Sequence, residues 1–421
     1  MVYIVNKNNE PLMPTHRHGK VRRLLEAGQA RVIKKEPFTI QLLYDTTSYV
    51  QDLTLGVDAG SKTIGLSVSS EIEEVYASEI VLRNDIVKLL ATRRESRRTR
   101  RNRLRYRKPR FNNRVKSKHK GWFAPSVEHK IQTHLKVVDD IALILPISEI
   151  IVETASFDIQ KIKNPNISGA EYQEGDQLGF WNVREYVLFR DGHVCQHCKG
   201  KSKDPVLNVH HIESRKTGGD SPGNLITLCE TCHKAYHAGK IELNLKRHNA
   251  YRDTAFMGIM RWAFFSRLKE RYSAIPVRNT YGYITKNTRI EAGLPKEHAI
   301  DALCIAGHST AKLTETFFIQ KKVRCHNRQI HKANIPKGGK IKRNQSPYEV
   351  KGFRLFDKVS YKGQTCFITG RRSSGYFALK TIEGKRVSNS AKYKDLALIE
   401  RRKTLIIQGG ERAIPPTTYA A

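Results

Sequence analysis

Two pairs of cysteines constrain the fold of this chain most strongly. Two residues separate the cysteines of each pair, which are Cys195 with Cys198 and Cys229 with Cys232. Two Cys-X-X-Cys pairs are typical of a structural zinc site, because four soft thiolates around one ion leave no open position for chemistry. The 30 residues between the pairs, 199–228, exceed the usual zinc-ribbon spacing. The sequence therefore predicts a zinc-stapled unit with room for a second site.

Five polar residues lie within and just beyond this cysteine frame: His210, His211, Asn224, His233 and His237. The last two histidines are four residues apart, so on a helix they share one face. His210 and His211 fall in a predicted strand, 207–212, where successive side chains point to opposite faces. We therefore expect one to bind an ion and the other to act as a base, with the Asn224 amide holding a backbone and orienting that base. Such a set suits metal-assisted phosphodiester hydrolysis.

The order His-His, Asn, His-X-X-X-His resembles the HNH nucleases and their ββα-metal site. The resemblance implies that His210, His233 and His237 bind a catalytic Mg²⁺ or Mn²⁺ ion and that His211 is the general base, with Asn224 as the accompanying catalytic residue. The alternative is that these histidines only supplement a zinc-ribbon fold.

The charge of the chain indicates a polyanionic partner. Its 75 basic and 40 acidic residues give a net charge of +35, of which residues 93–118 contribute +13. Three cysteines remain outside the frame, and this odd number indicates that the protein resides in a reducing compartment of the cell. The start has no secretory pattern, and no stretch is long and apolar enough for a membrane span, so we expect a cytoplasmic protein that binds nucleic acid and no membrane.

A second group of candidate residues is dispersed along the chain. Asp58 ends a predicted hydrophobic strand, 53–58, and is followed by glycines that we expect to let a ligand approach the backbone. Alone, this pattern is also similar to the phosphate-binding turn of sugar kinases and actin-type ATPases. Glu153 lies near the end of another predicted strand, 150–154, and His298 and Asp301 share one face of a predicted helix.

Three carboxylates and a histidine can hold two Mg²⁺ or Mn²⁺ ions for phosphodiester cleavage. The simpler interpretation is that Glu153 caps a strand and His298 is a surface residue. In the order found here, the residues resemble the RuvC nucleases of the ribonuclease H-like fold. The resemblance implies that Asp58, Glu153 and Asp301 are catalytic metal ligands and that His298 accompanies them.

An arginine-rich segment separates Asp58 from Glu153, and the HNH-like segment separates Glu153 from Asp301. This split arrangement resembles the IscB family, transposon-encoded RNA-guided nucleases related to the type II CRISPR effector. Pro11-Leu12-Met13-Pro14 matches the motif that names the first domain of that family. The resemblance implies a guide RNA and a double-stranded DNA target as partners, with one protein chain per RNA. It also implies a bacterial or archaeal cytoplasm.

The arginine-rich segment has helix-forming residues but no apolar face, so it is not expected to pack as an ordinary amphipathic helix. The resemblance implies a bridge helix that grips guide RNA, because guanidinium groups bind phosphates bidentately. The alternative is a disordered basic segment. The candidate nucleic-acid contacts are Arg93, Arg94, Arg97, Arg98, Arg100, Arg101, Arg103, Arg105, Arg107 and Arg110.

The predicted fold class is α/β (α+β, multidomain), with a ribonuclease H-like RuvC core that is split by the bridge helix and by an inserted ββα-metal HNH domain. Small β-rich domains are expected at both ends. The predicted divisions are an N-terminal domain at 1–52, RuvC segments at 53–92, 119–160 and 251–315, the bridge helix at 93–118, the HNH domain with linkers at 161–250, and a C-terminal domain at 316–421. The resemblance makes this last domain a reader of a target-adjacent motif; a plain RNA-binding β-barrel is the alternative.

The expected function is RNA-guided cleavage of double-stranded DNA. The resemblance assigns the guide-paired strand to the HNH site and the displaced strand to the RuvC site, with a structured noncoding RNA as scaffold and guide. Two alternatives remain. One is a guide-independent homing or structure-selective nuclease, and the other is an RNA-dependent DNA-binding regulator of transposition that cuts little.

Overall fold

The structure is a computed structural model that describes residues 1–104, 123, 125–154, 183–213, 222–243, 252–324 and 347–412. The chain is a mixed α/β protein with two compact units. One unit comprises Met1–Ala155 with Ile259–Ala421, and the other is Ser156–Gly258. Among the helices of the described ranges, none has the length and apolar character needed to cross a bilayer.

The N-terminal domain is a four-stranded sheet with one helix. Its sheet order is β2-β1-β4-β3, and Val21 of the helix packs in one core with Val2 and Ile40. Gly28, with φ of +66°, follows the helix as predicted, although the helix begins at residue 18 rather than 20. The elements are β1 (Val2–Val5), β2 (Pro11–Thr15), which contains the Pro-Leu-Met-Pro motif, α1 (His18–Glu26), β3 (Ala30–Lys34) and β4 (Thr39–Leu42).

The next segment forms an antiparallel meander followed by two helices and a strand. The sequence predicts these strands at 53–58, 63–69 and 75–82, and each lies within one residue of those bounds, because each is a short apolar-rich run that ends at a turn and is almost entirely buried. The first helix starts before the arginine run rather than at Arg93. The elements are β5 (Thr54–Ala59), β6 (Thr63–Ser69), β7 (Glu74–Val81), α2 (Ile86–Leu104), α3 (Pro125–Ala142) and β8 (Glu149–Thr154).

The unit formed by residues 156–258 contains a β-hairpin followed directly by a helix. In the hairpin, Ile226 lies opposite His210, and Leu225 lies opposite His211. The helix starts at the residue after Cys229, so the second cysteine pair joins the hairpin to the helix. The elements are α4 (Val183–Arg190), β9 (Leu207–His211), β10 (Leu225–Cys229) and α5 (Glu230–His237).

Three helices and two strands follow. The predicted helices at 256–271 and 296–308 are present with shifted ends, whereas the strand and helix at 277–291 lack a clear periodic pattern and were not predicted. The elements are α6 (Arg252–Arg271), β11 (Val277–Tyr281), α7 (Gly282–Glu291), α8 (His298–Ile305) and β12 (Thr316–Lys322).

The C-terminal region is rich in short strands, as expected. The single strand predicted at 358–369 is wrong: Lys362 and Gly363, with φ of 51° and 77°, form a turn that divides it into two antiparallel strands. Five of the strands form a sheet in the order β18-β17-β16-β15-β19. The elements are β13 (Glu349–Val350), β14 (Phe353–Arg354), β15 (Lys358–Tyr361), β16 (Gln364–Arg371), β17 (Tyr376–Lys380), β18 (Arg386–Lys392), β19 (Leu396–Glu400) and β20 (Leu405–Glu411).

A seven-stranded central sheet unites distant parts of the chain in the order β11-β8-β5-β6-β7-β12-β20. Strands β12 and β20 belong to this sheet, although the boundary predicted at residue 316 assigned both to the C-terminal domain. Strands β5 and β8 are parallel neighbours with Val57 opposite Val152. Asp58 and Glu153 therefore follow at the same level, at the carboxyl ends of adjacent strands.

Helix α8 lies directly on β5 and β6 because two glycines leave room for its backbone. A Cβ atom at Gly56 would lie 1.9 Å from the carbonyl oxygen of Ala302, and one at Gly65 would lie 1.9 Å from that of His298. Gly60 forms the tight turn before Thr63. The glycines near Asp58 therefore admit a helix at positions 56 and 65 and a tight turn at position 60.

The last described strand is tied into the same sheet. Arg412 donates a hydrogen bond from Nη1 to Glu74 Oε2 at 2.7 Å, and both side chains are almost fully buried. Its Nη2 lies 3.5 Å from Oε2 of Glu297, the residue before α8. The end of the C-terminal region thus reaches the helix that carries His298.

Candidate active sites and metal centre

The four cysteines of the two pairs come together in one cluster. The Sγ atoms of Cys195, Cys198, Cys229 and Cys232 all lie within 4.8 Å of one another, and those of Cys198 and Cys229 are 3.8 Å apart. A tetrahedral site with metal–sulfur bonds of about 2.3 Å places its sulfur atoms about 3.8 Å apart. The cluster therefore fits one metal ion with four thiolate ligands.

Neighbouring groups act differently on two of these thiols. Hydrogen bonds from the side chain and backbone of Ser202 lower the pKa of Cys198 to about 6. The Ser202 hydroxyl lies 3.3 Å from Cys198 Sγ and 3.1 Å from Cys229 Sγ. Burial, together with the neighbouring Cys229, raises the pKa of Cys232. Cys198 is thus favoured as a thiolate at neutral pH, whereas Cys232 needs a bound cation to lose its proton.

Three histidines form a second cluster on the hairpin and the following helix. The ring nitrogens of His210, His233 and His237 lie within 4.8 Å of one another, and the Nε2 atoms of His233 and His237 are 3.3 Å apart. Burial, reinforced by the positive potential of His233 and His237, lowers the pKa of His210 to about 4. A neutral imidazole is the form that binds metal, so the cluster is suited to one divalent cation at neutral pH.

His211 and Asn224 lie beside this cluster. His211 follows His210 in β9, so its side chain leaves the opposite face of the hairpin. Asn224 is fully buried, accepts a hydrogen bond from the Glu213 N–H at 2.8 Å and donates one to the Glu213 carbonyl at 3.0 Å. The amide therefore fixes the backbone two residues beyond His211.

In the other unit, Asp58 and His298 are in direct contact. Their Oδ2 and Nδ1 atoms are 2.6 Å apart, and this hydrogen bond raises the pKa of His298 against the opposing effect of burial. The backbone N–H of His298 donates to Glu79 Oε1 at 2.9 Å. Carboxylates from β5 and β7, the strands on either side of β6, thus hold the first turn of α8.

Arg261 completes this site and was not predicted from the sequence. Its Nη1 donates to Glu153 Oε1 at 2.7 Å, its Nε donates to the Ala59 carbonyl at 3.0 Å, and its Nη2 lies 3.8 Å from Asp58 Oδ1. The residue is only 5% exposed. The sequence did contain a signal for a buried arginine. Arg261 lies four and seven residues before Phe265 and Leu268, which places it on the buried face of α6.

Asp301 and Glu153 are held in separate ion pairs. Arg289 Nε lies 3.0 Å from Asp301 Oδ1. Burial raises the pKa of Glu153, and the positive charge of Arg261 offsets part of that rise. Burial and the negative charge of the nearby Asp58 raise the pKa of Asp301. In the described part of the chain, only the cysteine and histidine clusters have all their ligand atoms within 4.8 Å of one another. The oxygen atoms of Asp58, Glu153 and Asp301 are therefore spread more widely than the ligand atoms of those clusters. These hard oxygen atoms suit Mg²⁺ or Mn²⁺.

The arginine run is only partly described. Arg93, Arg94 and Arg98 are exposed on α2. Helix α2 also includes Arg97, Arg100, Arg101 and Arg103. Arg105, Arg107 and Arg110 lie outside the described residues, as does the predicted linker at 164–179.

Two family models match the chain. The model described as RRXRR protein matches residues 2–175, and the model described as HNH endonuclease matches residues 195–239. The second range contains the cysteine cluster, the histidine cluster and Asn224. A comparison with curated proteins gives no match.

Solved structures with partial similarity are Cas9 enzymes. The crystal structure of Streptococcus thermophilus Cas9 in complex with the GGAA PAM is 17% identical with a TM-score of 0.35, covering 51% of this chain and 30% of that one. The type II-C Cas9 enzyme from Actinomyces naeslundii is 12% identical with a TM-score of 0.24, covering 61% of this chain and 60% of that one. The chain therefore spans less than a third of the length of the Streptococcus thermophilus enzyme in that structure.

Proposed function

Because the chain combines an RRXRR region with an HNH endonuclease domain, as IscB-type and Cas9-like HNH nucleases do, we propose that it is an RNA-guided DNA endonuclease that cuts both strands of its target. The observation that carries the proposal is the histidine cluster inside the HNH-matched range. It lies on a β-hairpin and helix, with His211 on the opposite face of the strand that supplies His210.

In the HNH domain, His210, His233 and His237 would hold a divalent ion, Mg²⁺ or Mn²⁺. Such an ion supplies Lewis acidity at the scissile phosphate. His211 accepts the proton of the attacking water, and Asn224 keeps the strand end that carries His211 in place through Glu213. We assign the guide-paired strand to this site.

The carboxylate site in the central sheet is proposed as a RuvC-type second nuclease. Asp58, Glu153 and Asp301 would hold two divalent ions, which would supply charge stabilisation for phosphodiester cleavage. His298 keeps a proton at the nitrogen that faces Asp58, since its pKa is raised by that contact. The support for this assignment is the parallel pairing of β5 with β8, which brings Asp58 and Glu153 to one sheet edge beneath α8. We assign the displaced strand to this site.

We further propose that the ion of the cysteine cluster is zinc, since four thiolates within 4.8 Å of one another, two of them 3.8 Å apart, suit its tetrahedral preference. A structured guide RNA is proposed as the partner of α2 and of the basic surface, because a protein with a net charge of +35 can neutralise many RNA phosphates. The predicted domain divisions, including a motif-reading role for the C-terminal region, are part of this proposal.

The test uses the full-length chain purified with its co-purifying RNA, which is sequenced to define the guide. A plasmid that carries the matching target is cut with each strand labelled separately. We expect His211→Ala to leave the guide-paired strand intact and Asp58→Ala to leave the displaced strand intact. His197→Ala and Asp52→Ala, which change exposed residues of the same types, serve as matched controls that cut both strands.

Other outcomes identify the alternatives. Specific cutting by RNA-free protein would indicate a homing or structure-selective nuclease. RNA-dependent DNA binding without cleavage would indicate a regulator of transposition. Unchanged cutting in both the His211 and Asp58 variants would refute the two-site mechanism, and absence of one dominant co-purifying RNA would refute the guide.

A further inference from the structure

Two exposed tyrosines stack on each other at the edge of the carboxylate site. The rings of Tyr281 and Tyr283 are 6.2 Å apart between centroids with an interplanar angle of 10°, so their faces are nearly parallel. Tyr281 is 42% exposed and Tyr283 is 67% exposed. A purely structural aromatic pair is expected to bury its faces, because each ring represents a large apolar area.

The two tyrosines flank the residue that contacts Glu153. A Cβ atom at Gly282 would lie 3.2 Å from Glu153 Oε1, so the backbone between the rings lies directly against the carboxylate. Thr280, the residue before Tyr281, pairs with Glu153 across β11 and β8. Tyr281 pairs with Thr154, so its side chain leaves β11 on the face opposite to that of Thr280 and Glu153. The backbones of both tyrosines therefore adjoin the residue that faces the carboxylate, while the Tyr281 ring leaves the strand on the other side.

The charge around the rings suits a nucleic-acid strand. Lys286 is exposed and lies three residues after Tyr283 on α7, which places it on the same helix face. Base–aromatic stacking and a nearby cation are the two components by which proteins bind single strands without reading sequence. Duplex DNA offers no free base faces, so a single strand is the occupant that suits this pair.

We propose that Tyr281 and Tyr283 form a stacking platform that holds a base of the single-stranded DNA a short way along the strand from the bond that is cut at Glu153. This inference rests on the proposed function, because it assumes that the carboxylate site cleaves the displaced strand. The platform then positions the strand by binding its bases, while the carboxylates act on its backbone.

The first experiment maps the contact without cleavage. The Asp58→Ala chain is assembled with its co-purified RNA and a target whose displaced strand carries 5-iododeoxyuridine, irradiated, digested and analysed by mass spectrometry. We expect cross-links at Tyr281 or Tyr283 and none at Tyr49, which is 88% exposed and serves as an internal control. Cross-links to Tyr281 or Tyr283 from iodouridine placed in the RNA, with none from the DNA, would overturn the assignment to DNA.

The second experiment measures cleavage of each strand in otherwise wild-type protein. The double variant Tyr281→Ala/Tyr283→Ala is expected to raise the KM for displaced-strand cleavage about tenfold and to leave guide-paired-strand cleavage unchanged. Tyr281→Phe/Tyr283→Phe, which keeps both ring faces, is expected to restore the KM. A rise in KM that the phenylalanine variant fails to restore would overturn the stacking role.

The failure of the platform is distinguishable from the failure of the proposed function. If Asp58→Ala leaves displaced-strand cleavage intact, the proposed function is wrong. If Asp58→Ala abolishes that cleavage while the double alanine variant keeps the wild-type KM and the cross-links map elsewhere, only the platform is wrong.

Discussion

Replacing Arg261 with methionine should destabilise the central-sheet unit and make its stability depend on a divalent cation. The guanidinium is 7% exposed and lies 2.7 Å from Glu153 and 3.8 Å from Asp58. Methionine fills similar space but leaves Glu153 without its cation and Asp58 with His298 alone. Removing one partner of a buried ion pair costs about 3–5 kcal/mol.

The size of the effect can be set against a matched control on the same helix. Arg267 pairs with Glu128 at the same distance of 2.7 Å, but those side chains are 32% and 38% exposed. Such a pair contributes about 0–1 kcal/mol. At about 2–4 °C per kcal/mol, Arg261→Met should lower Tm by at least about 6 °C, while Arg267→Met should lower it by at most about 4 °C.

Differential scanning calorimetry in EDTA and in Mg²⁺ measures both parts of this prediction. A cation at 100 times its Kd stabilises a folded state by about 2.7 kcal/mol, so Mg²⁺ should recover a large part of the loss in Arg261→Met. The recovery should exceed the effect of Mg²⁺ on Arg267→Met, because the control keeps Arg261 beside the carboxylates. Manganese chloride in place of magnesium tests whether the recovery reflects a hard divalent ion in general.

The loss should also depend on pH. Burial already raises the pKa of Glu153, and Arg261 opposes that rise. Without Arg261, the pKa of Glu153 in the folded state should rise further above its value in the unfolded chain. The protonated carboxyl then stabilises the fold at low pH, and this stability is lost as the pH rises through the folded-state pKa. The difference in Tm between Arg261→Met and wild type should therefore widen between about pH 5 and pH 8, starting above the ordinary glutamate pKa of about 4.3. Equal Tm values for the two arginine variants in EDTA would refute the reasoning.

Three further changes test other parts of the molecule. Cys232→Ser should abolish binding of one metal ion per chain, measured by elemental analysis, whereas Cys304→Ser, outside the cluster, should retain it. Gly65→Ala places a Cβ atom 1.9 Å from the His298 carbonyl oxygen, so it should lower the free energy of unfolding by at least about 1–3 kcal/mol and reduce displaced-strand cleavage. Gly19→Ala is the control, because its Cβ would have no neighbour within 4 Å. Equal Tm and equal cleavage in the two variants would contradict the packing of α8. Arg412→Met should cost about 3–5 kcal/mol by leaving Glu74 buried and unpaired, and the loss should shrink in the Glu74→Gln background when thermal unfolding is measured as a double-mutant cycle.

The sequence predicted elements whose pattern is local. The meander of β5, β6 and β7 was predicted within a residue, because alternation and turn residues are short-range signals. The cysteine and histidine clusters were also identified from spacing, since their residues lie within 43 positions of the chain, on a turn, the hairpin that follows it and the next helix. The structure brings these residues together without assigning their roles.

The remaining features depend on contacts between distant segments. Arg261 contacts Glu153 only because the fold brings α6 close to the end of β8. No sequence pattern indicates that these two distant segments meet. The glycines after Asp58 were interpreted as room for a ligand, and nothing in the sequence indicated that Gly56 and Gly65 leave room for a distant helix. Strands β12 and β20 were assigned to the wrong domain because pairing partners do not follow from strand patterns alone.

The placement of β12 and β20 has a practical consequence for altering target choice. The Val323 N–H donates to the Thr404 carbonyl at 3.2 Å, so the chain leaves and re-enters the central sheet at adjacent points. Truncation before β20 would uncover an edge of β12 and invite aggregation. Exchanging the segment between these two residues with that of a relative therefore tests the motif-reading role proposed for it. The exchange should keep Phe367 and Ile382, because both pack in one core with Val323 and Ile406 of the central sheet and its margin.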